Sequence, residues 1–270
     1  MSPVESALQM NTEILELGDR RIEYRFVGPV SGAVGNLVLL HEGLGSAAMW
    51  KDFPDVLAAA TGCRTLVYSR LGYGRSSRLE APRSVDFMHE EAREWLPALF
   101  RALDIRRPVL VGHSDGASIA LIHGALPATA ICGIVAIAPH VFVEDFGLIS
   151  IRRAKGAYEA GDLRARLARY HDDVDSAFWG WNRAWLDPAF YAWTIEALLP
   201  RIRVPVLAIQ GWNDEYGTLE QIERIRRAVP STETLILDNC GHSPHRDQPT
   251  AVIRATRRFL GRIATSTAAT

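Results

Sequence analysis

Apolar and polar positions alternate in blocks along most of the chain, and the spacing within each block predicts its element. Residues 12–17 and 21–26 are short, partly alternating runs joined at Gly18-Asp19, the pattern of a β-hairpin. Residues 36–40, 64–69, 108–111, 131–138, 204–210 and 233–237 are apolar runs of strand length. Between them, residues 47–60, 85–103, 117–126, 219–229 and 251–263 repeat their apolar positions at helical intervals; in 85–103 these are Phe87, Trp95, Leu96, Leu99 and Phe100. Strands alternating with helices, and apolar on both faces, imply a mostly parallel sheet wrapped by helices.

The alternation breaks between Pro139 and Arg203, where strand-like runs are absent and helical patterns cover 152–159, 163–170, 176–185 and 190–199. A helical insert between two strands predicts a cap over the strand C-termini. The division is 1–139 plus 204–270 for the α/β core and 140–203 for the cap. The tail 264–270 is expected to fray.

Composition narrows the function classes. The 270 residues can bury one substantial core. A formal charge of −1 gives no electrostatic case for nucleic acid or an anionic membrane. No segment approaches the ~18 apolar residues of a membrane span, and the N-terminus lacks the basic and apolar regions of a secretory signal. Cys63, Cys132 and Cys240 leave an odd count with no CxxC spacing, which fits free thiols in a reducing compartment. A cytoplasmic protein acting on a small-molecule substrate is expected.

The chemistry concentrates at Gly112-His113-Ser114-Asp115-Gly116, a Gly-x-Ser-x-Gly between a predicted strand and a predicted helix. This is a nucleophile elbow, a turn tight enough to need glycines on both sides of an exposed serine. A serine hydroxyl is a weak nucleophile and needs a base, which in turn needs an orienting group. Asp214, just past the strand 204–210, can supply the carboxylate, with Glu215 beside it as the fallback. His242, after Gly241 in the loop past the last strand, can supply the base. His242 and His245 also form an HxxH pair, but a loop pair without further ligands is poor evidence for a metal. The attack creates an oxyanion, for which the amides of Asp115 and of Gly43, with Leu44 as the alternative, are the candidate donors.

Taken together, these segments resemble the α/β-hydrolase superfamily, in particular its capped serine hydrolases. The resemblance spans roughly residues 21 to 260. It rests on 41–50 as the oxyanion loop, Gly72-Tyr73-Gly74-Arg75-Ser76 after the fourth strand, the elbow, Gly211 to Asp214, and Gly241-His242. It implies acyl transfer by Ser114, His242 and Asp214 without metal or organic cofactor, on a small to medium carboxylic ester or a related lactone or thioester. Carbon–carbon bond hydrolysis, amino-acyl ester hydrolysis and ligand binding without turnover occur on the same fold.

Two positions depart from the family pattern. The oxyanion loop begins His41-Glu42 rather than His-Gly, and Asp115 follows the nucleophile. Glu42 either turns away to bond nearby backbone or forms with Asp115 an acidic pair suited to a cationic substrate. The bland alternative for Asp115 is a bond to loop amides or to Arg70 or Arg75. Trp181 shares a helix face with Phe178 or Trp185, and most cap aromatics are expected to dock the cap. The substrate-lining candidates are Glu42, Leu44, His140, Phe178 and Trp181.

Overall fold

A computed structural model describes residues 11–29, 35–127 and 129–268, with side chains to 265. Its centre is an eight-stranded sheet of β1 (Glu13–Leu17), β2 (Arg20–Val27), β3 (Asn36–Leu40), β4 (Arg64–Tyr68), β5 (Val109–His113), β6 (Gly133–Ile137), β7 (Val206–Gly211) and β8 (Glu233–Leu237). The spatial order is β1-β2-β4-β3-β5-β6-β7-β8. β2 runs antiparallel to β1 and β4, and every other neighbouring pair is parallel. Alternation along the inner strands explains the two-sided core. Val38, Leu40 and Leu110 face one apolar cluster, while Leu37, Leu39, Val109 and Val111 face the other.

The helices follow the predicted blocks with informative differences. Residues 47–60 do not form one helix. A 3₁₀ turn, Ala48–Trp50, ends at Lys51, whose φ is 54°, and α1 (Phe53–Thr61) starts afresh with Pro54 in its first turn. The long helix α2 (87–102) contains a π-helical turn at Glu91–Trp95, one residue short of Pro97. Proline has no N–H for the carbonyl four residues back, and the wider turn accommodates that gap. α3 (Asp115–Gly124) follows β5 without a spacer beyond Ser114.

Between β6 and β7 lie α4 (Asp145–Ala160), α5 (Leu163–Leu167) and α6 (Val174–Trp185). The helix predicted over 190–199 is absent. Its place is taken by 3₁₀ turns at Pro188–Ala192 and Leu199–Arg201, separated by a bridge between Phe142 and Thr194. The amides of Val143 and Ile195 bond the carbonyls of Trp193 and Val141, so this backbone pairs across rather than along itself.

After β7 come α7 (Glu220–Ala228), then β8, α8 (Pro244–Asp247) and α9 (Pro249–Ala268). The last helix therefore continues through most of the tail expected to fray, and residues 269–270 lie outside the described part. None of the described helices is long and apolar enough to cross a membrane.

Candidate active site

β5 ends at His113 and α3 begins at Asp115, so Ser114 makes the entire reversal. It does so at φ 53° and ψ −121°, a conformation non-glycine residues rarely adopt. The flanking glycines permit it. A Cβ on Gly112 would stand 2.3 Å from the Gly116 carbonyl oxygen, and one on Gly116 would stand 2.1 Å from that of Leu40. The turn is held by backbone: the Ser114 amide donates to Ile137, and the Ala117 and Ser118 amides donate to the Ser114 carbonyl.

The Ser114 hydroxyl lies 2.9 Å from His242 Nε2. His242 Nδ1 lies 2.8 and 2.9 Å from the two Asp214 carboxylate oxygens. Asp214 in turn accepts from Gln210 Nε2 at 2.7 Å and from the Tyr216 and Gly217 amides. Its donors fix the carboxylate, and the carboxylate fixes the ring. Burial alone would raise the Asp214 pKa, but the His242 ring and the Tyr216 amide bring it below its usual value. At His242 burial pulls the pKa down, and Asp214 outweighs it, so the pKa is raised above 6.5. Glu215, the alternative acid, does not touch the ring; its carboxylate accepts the His242 backbone N–H at 3.2 Å.

Ser114 and His242 open on a cavity of about 220 Å³, which Asp214 does not line. Its floor is the loop after β3, with Glu42, Gly43 and Leu44, together with Asp115 at the elbow. Ile151, Leu163, Leu167, Trp181 and Trp185 roof it from the helices between β6 and β7. Of the expected lining residues, Glu42, Leu44, His140 and Trp181 are present. Phe178 is not: it is fully buried and stacks on Tyr158 with ring centroids 3.7 Å apart, so it holds α6 on α4. Trp185, one turn beyond Trp181 on the same face, takes that place. Met49, Tyr216 and Arg246 were not legible as lining residues, because single short turns and loops carry no periodic signal.

Glu42 turns toward side chains rather than backbone. Its carboxylate meets Arg246 Nη2 at 3.0 Å and His113 Nδ1 at 3.4 Å. Burial would raise its pKa, but His113 and Arg246 hold it well below the usual carboxylate value. Asp115 bonds neither loop amides nor an arginine. One oxygen accepts from Trp185 Nε1 at 3.1 Å, and the other, buried, has no hydrogen-bond partner. Burial pushes its pKa up, against the pull of Arg70 and Trp185. His140 lies 5.6 Å from the His242 ring between centroids; burial and His242 push its pKa down to about 3, so it stays neutral. The amides of Gly43, Leu44 and Asp115 have no acceptor among the described residues. No cluster of metal-ligating side chains occurs among them either.

A family model described as the alpha/beta hydrolase family matches residues 37–255. A relative from Haemophilus influenzae, named as an esterase/lipase, is 28% identical over 192 residues. That match covers 61% of this chain and 64% of the relative, so the chain spans somewhat under two thirds of that protein's length. Carboxylesterase YbfK of Bacillus subtilis is 26% identical over 244 residues, covering 83% of this chain and 80% of its own. Among solved structures, the enol-lactonase of Burkholderia xenovorans superposes with a TM-score of 0.74 at 20% identity, over 92% of this chain and 100% of that one, a likeness of fold.

Proposed function

Because the chain belongs to the alpha/beta hydrolase family, we propose that it is a serine hydrolase cleaving small to medium carboxylic esters, or related lactones or thioesters, through an acyl-enzyme. The observation that carries this reading is the continuous hydrogen-bonded line Ser114–His242–Asp214 opening on one cavity. Residues 140–203 act as a cap over it, and the free cysteines fit a cytoplasmic setting.

Ser114 Oγ bonds the acyl carbon as its proton passes to His242 Nε2, and the carbonyl π electrons move onto oxygen. The amides of Asp115 and Gly43 receive that oxyanion. Collapse breaks the bond to the leaving oxygen, which takes the proton from His242. Water then gives a proton to His242, attacks the acyl carbon, and releases the acid as Ser114 regains its proton. Asp214 holds the ring and stabilises the imidazolium. The aromatic roof and the cavity of about 220 Å³ suit a short or compact acyl group.

The reaction needs neutral His242. Since Asp214 raises the His242 pKa above that of a free imidazole, kcat/KM is expected to fall with acidification through a single-proton limb as His242 takes up a proton. A pH–rate profile checks this; a profile with no acid limb counts against His242 as the base.

A second reading concerns the acyl group. The unpartnered oxygen of Asp115, with Glu42 and Glu215 on the same cavity, favours an amino-acyl ester whose ammonium meets that carboxylate. A panel of chromogenic esters from acetyl to aromatic and amino-acyl tests both readings. Asp115→Asn is then expected to lower kcat/KM for amino-acyl esters relative to acetyl esters by about 10- to 100-fold, the weight of one charged hydrogen bond. An unchanged ratio removes the ammonium reading and leaves the esterase reading standing.

A further inference from the structure

Arg70 is fully buried in the loop after β4, yet it forms no salt bridge among the described residues. Burying a cation is costly even where, as here, the buried carboxylates of Asp115 and Glu91 favour its charge from beyond ion-pair distance, so its placement calls for a reason. Its Nη2 donates to the Glu42 carbonyl at 2.8 Å and to the His41 carbonyl at 3.1 Å. Its own backbone N–H donates to His41 Nε2 at 3.0 Å. That bond makes Nε2 the acceptor, so the proton sits on Nδ1, which donates to the same Glu42 carbonyl at 2.7 Å. The Gly45 amide adds a third donor at 3.1 Å.

Three donors, one of them a cation, thus converge on one carbonyl oxygen. The peptide that carries this oxygen also carries the Gly43 N–H. There are no cis peptides among the described residues, and in a trans peptide C=O and N–H point in opposite directions. Holding Glu42 O toward Arg70 therefore directs the Gly43 N–H the other way, on a residue that lines the cavity with Ser114. Donors on the carbonyl also polarise the amide and strengthen its N–H as a donor.

We propose that Arg70 is a positioning residue of the acyl transfer, its guanidinium orienting and polarising the Glu42–Gly43 peptide so that the Gly43 amide meets the oxyanion. This rests on the reading of Gly43 as an oxyanion donor. In the resting enzyme the carboxylates of Asp115 and Glu91 favour the charge on Arg70, so its effect on the transition state passes through the peptide it holds. Binding of the neutral ester gains little, because no charge has yet developed on its carbonyl.

Arg70→Ala and Arg70→Lys test it on 4-nitrophenyl acyl esters. In Arg70→Ala kcat is expected to fall about 100-fold, with KM within about threefold. Affinity for a trifluoromethyl ketone, which forms an oxyanion on Ser114, falls in step, while affinity for the product acid holds. Added guanidinium restores about tenfold of the lost rate, and Arg70→Lys lies between. A folded variant with unchanged kcat, or with ketone and acid affinities falling together, overturns the proposal. If Arg70→Ala does not fold, the ketone affinity of Arg70→Lys decides in the same way: about tenfold weaker with product binding intact supports the proposal, and unchanged overturns it. Ser114→Ala and labelling by a fluorophosphonate run in parallel. Loss of turnover in Ser114→Ala beside an unaffected Arg70→Ala overturns the role of Arg70 alone. A wild type that neither turns over nor labels at Ser114 overturns the acyl-transfer reading and this inference with it.

Discussion

Ser114→Ala is expected to lower kcat on any ester the wild type accepts by about 10⁴- to 10⁶-fold, while the melting temperature stays within a few degrees. The two halves of this expectation have separate causes. Activity falls because, among the described residues, the hydroxyl is the only group in hydrogen-bond contact with His242 Nε2, and no acyl-enzyme can form without it. The fold survives because the elbow is held by backbone, through Ser114 N to Ile137 O and the Ala117 and Ser118 amides to Ser114 O. Alanine carries the same Cβ through the same positive φ. Steady-state rates and thermal unfolding of both proteins check it. A folded variant keeping more than one hundredth of the activity would show that another group attacks.

The second large effect is expected from Asp214→Asn, with kcat down by about 10⁴-fold and the acid limb of kcat/KM displaced to lower pH. The carboxylate now raises the His242 pKa against the lowering effect of burial. Without its charge, burial prevails, the imidazolium formed during attack loses its counter-charge, and His242 deprotonates at lower pH. The loop keeps its own ties: the Tyr216 and Gly217 amides can still donate to the oxygen of the new side chain, and Gln210 Nε2 still donates to the Gly217 carbonyl. The loss is therefore in the charge and orientation of His242 rather than in a collapse of the loop. A pH–rate profile with full activity retained, or with an unmoved limb, counts against Asp214 as the partner of the base.

Much of this was legible in the chain because it is local. Strand 36–40 and strand 233–237 are bounded by their own apolar runs, and Gly112 and Gly116 announce the elbow by residue type alone. Ser114, Asp214 and His242 each follow a strand end, so a parallel sheet brings them to one edge. What failed to read was set by tertiary pairing or by small residues with two meanings. Residues 190–199 carry helical spacing, yet their backbone bonds Val141 and the neighbouring segment instead. Pro54 and Pro97 sit inside helical patterns and were the visible clues to the restart at Phe53 and the π turn. Phe178 and Trp185 both share a face with Trp181, and only the packing of Tyr158 decides which turns to the cavity. The contacts of Glu42 with His113 and Arg246 join a loop, a strand end and a short helix far apart in sequence, and no spacing rule reports such a meeting.

The acyl-enzyme is the centre of the account, and intact-protein mass spectrometry reads it directly. Wild type mixed with a 4-nitrophenyl ester and quenched in acid during turnover is expected to carry one acyl group, mapped by peptide analysis to Ser114, with a matching burst of 4-nitrophenol. Hydrolysis that proceeds with no adduct at quench and no burst, or with the adduct on another residue, would contradict Ser114 as the nucleophile of this enzyme.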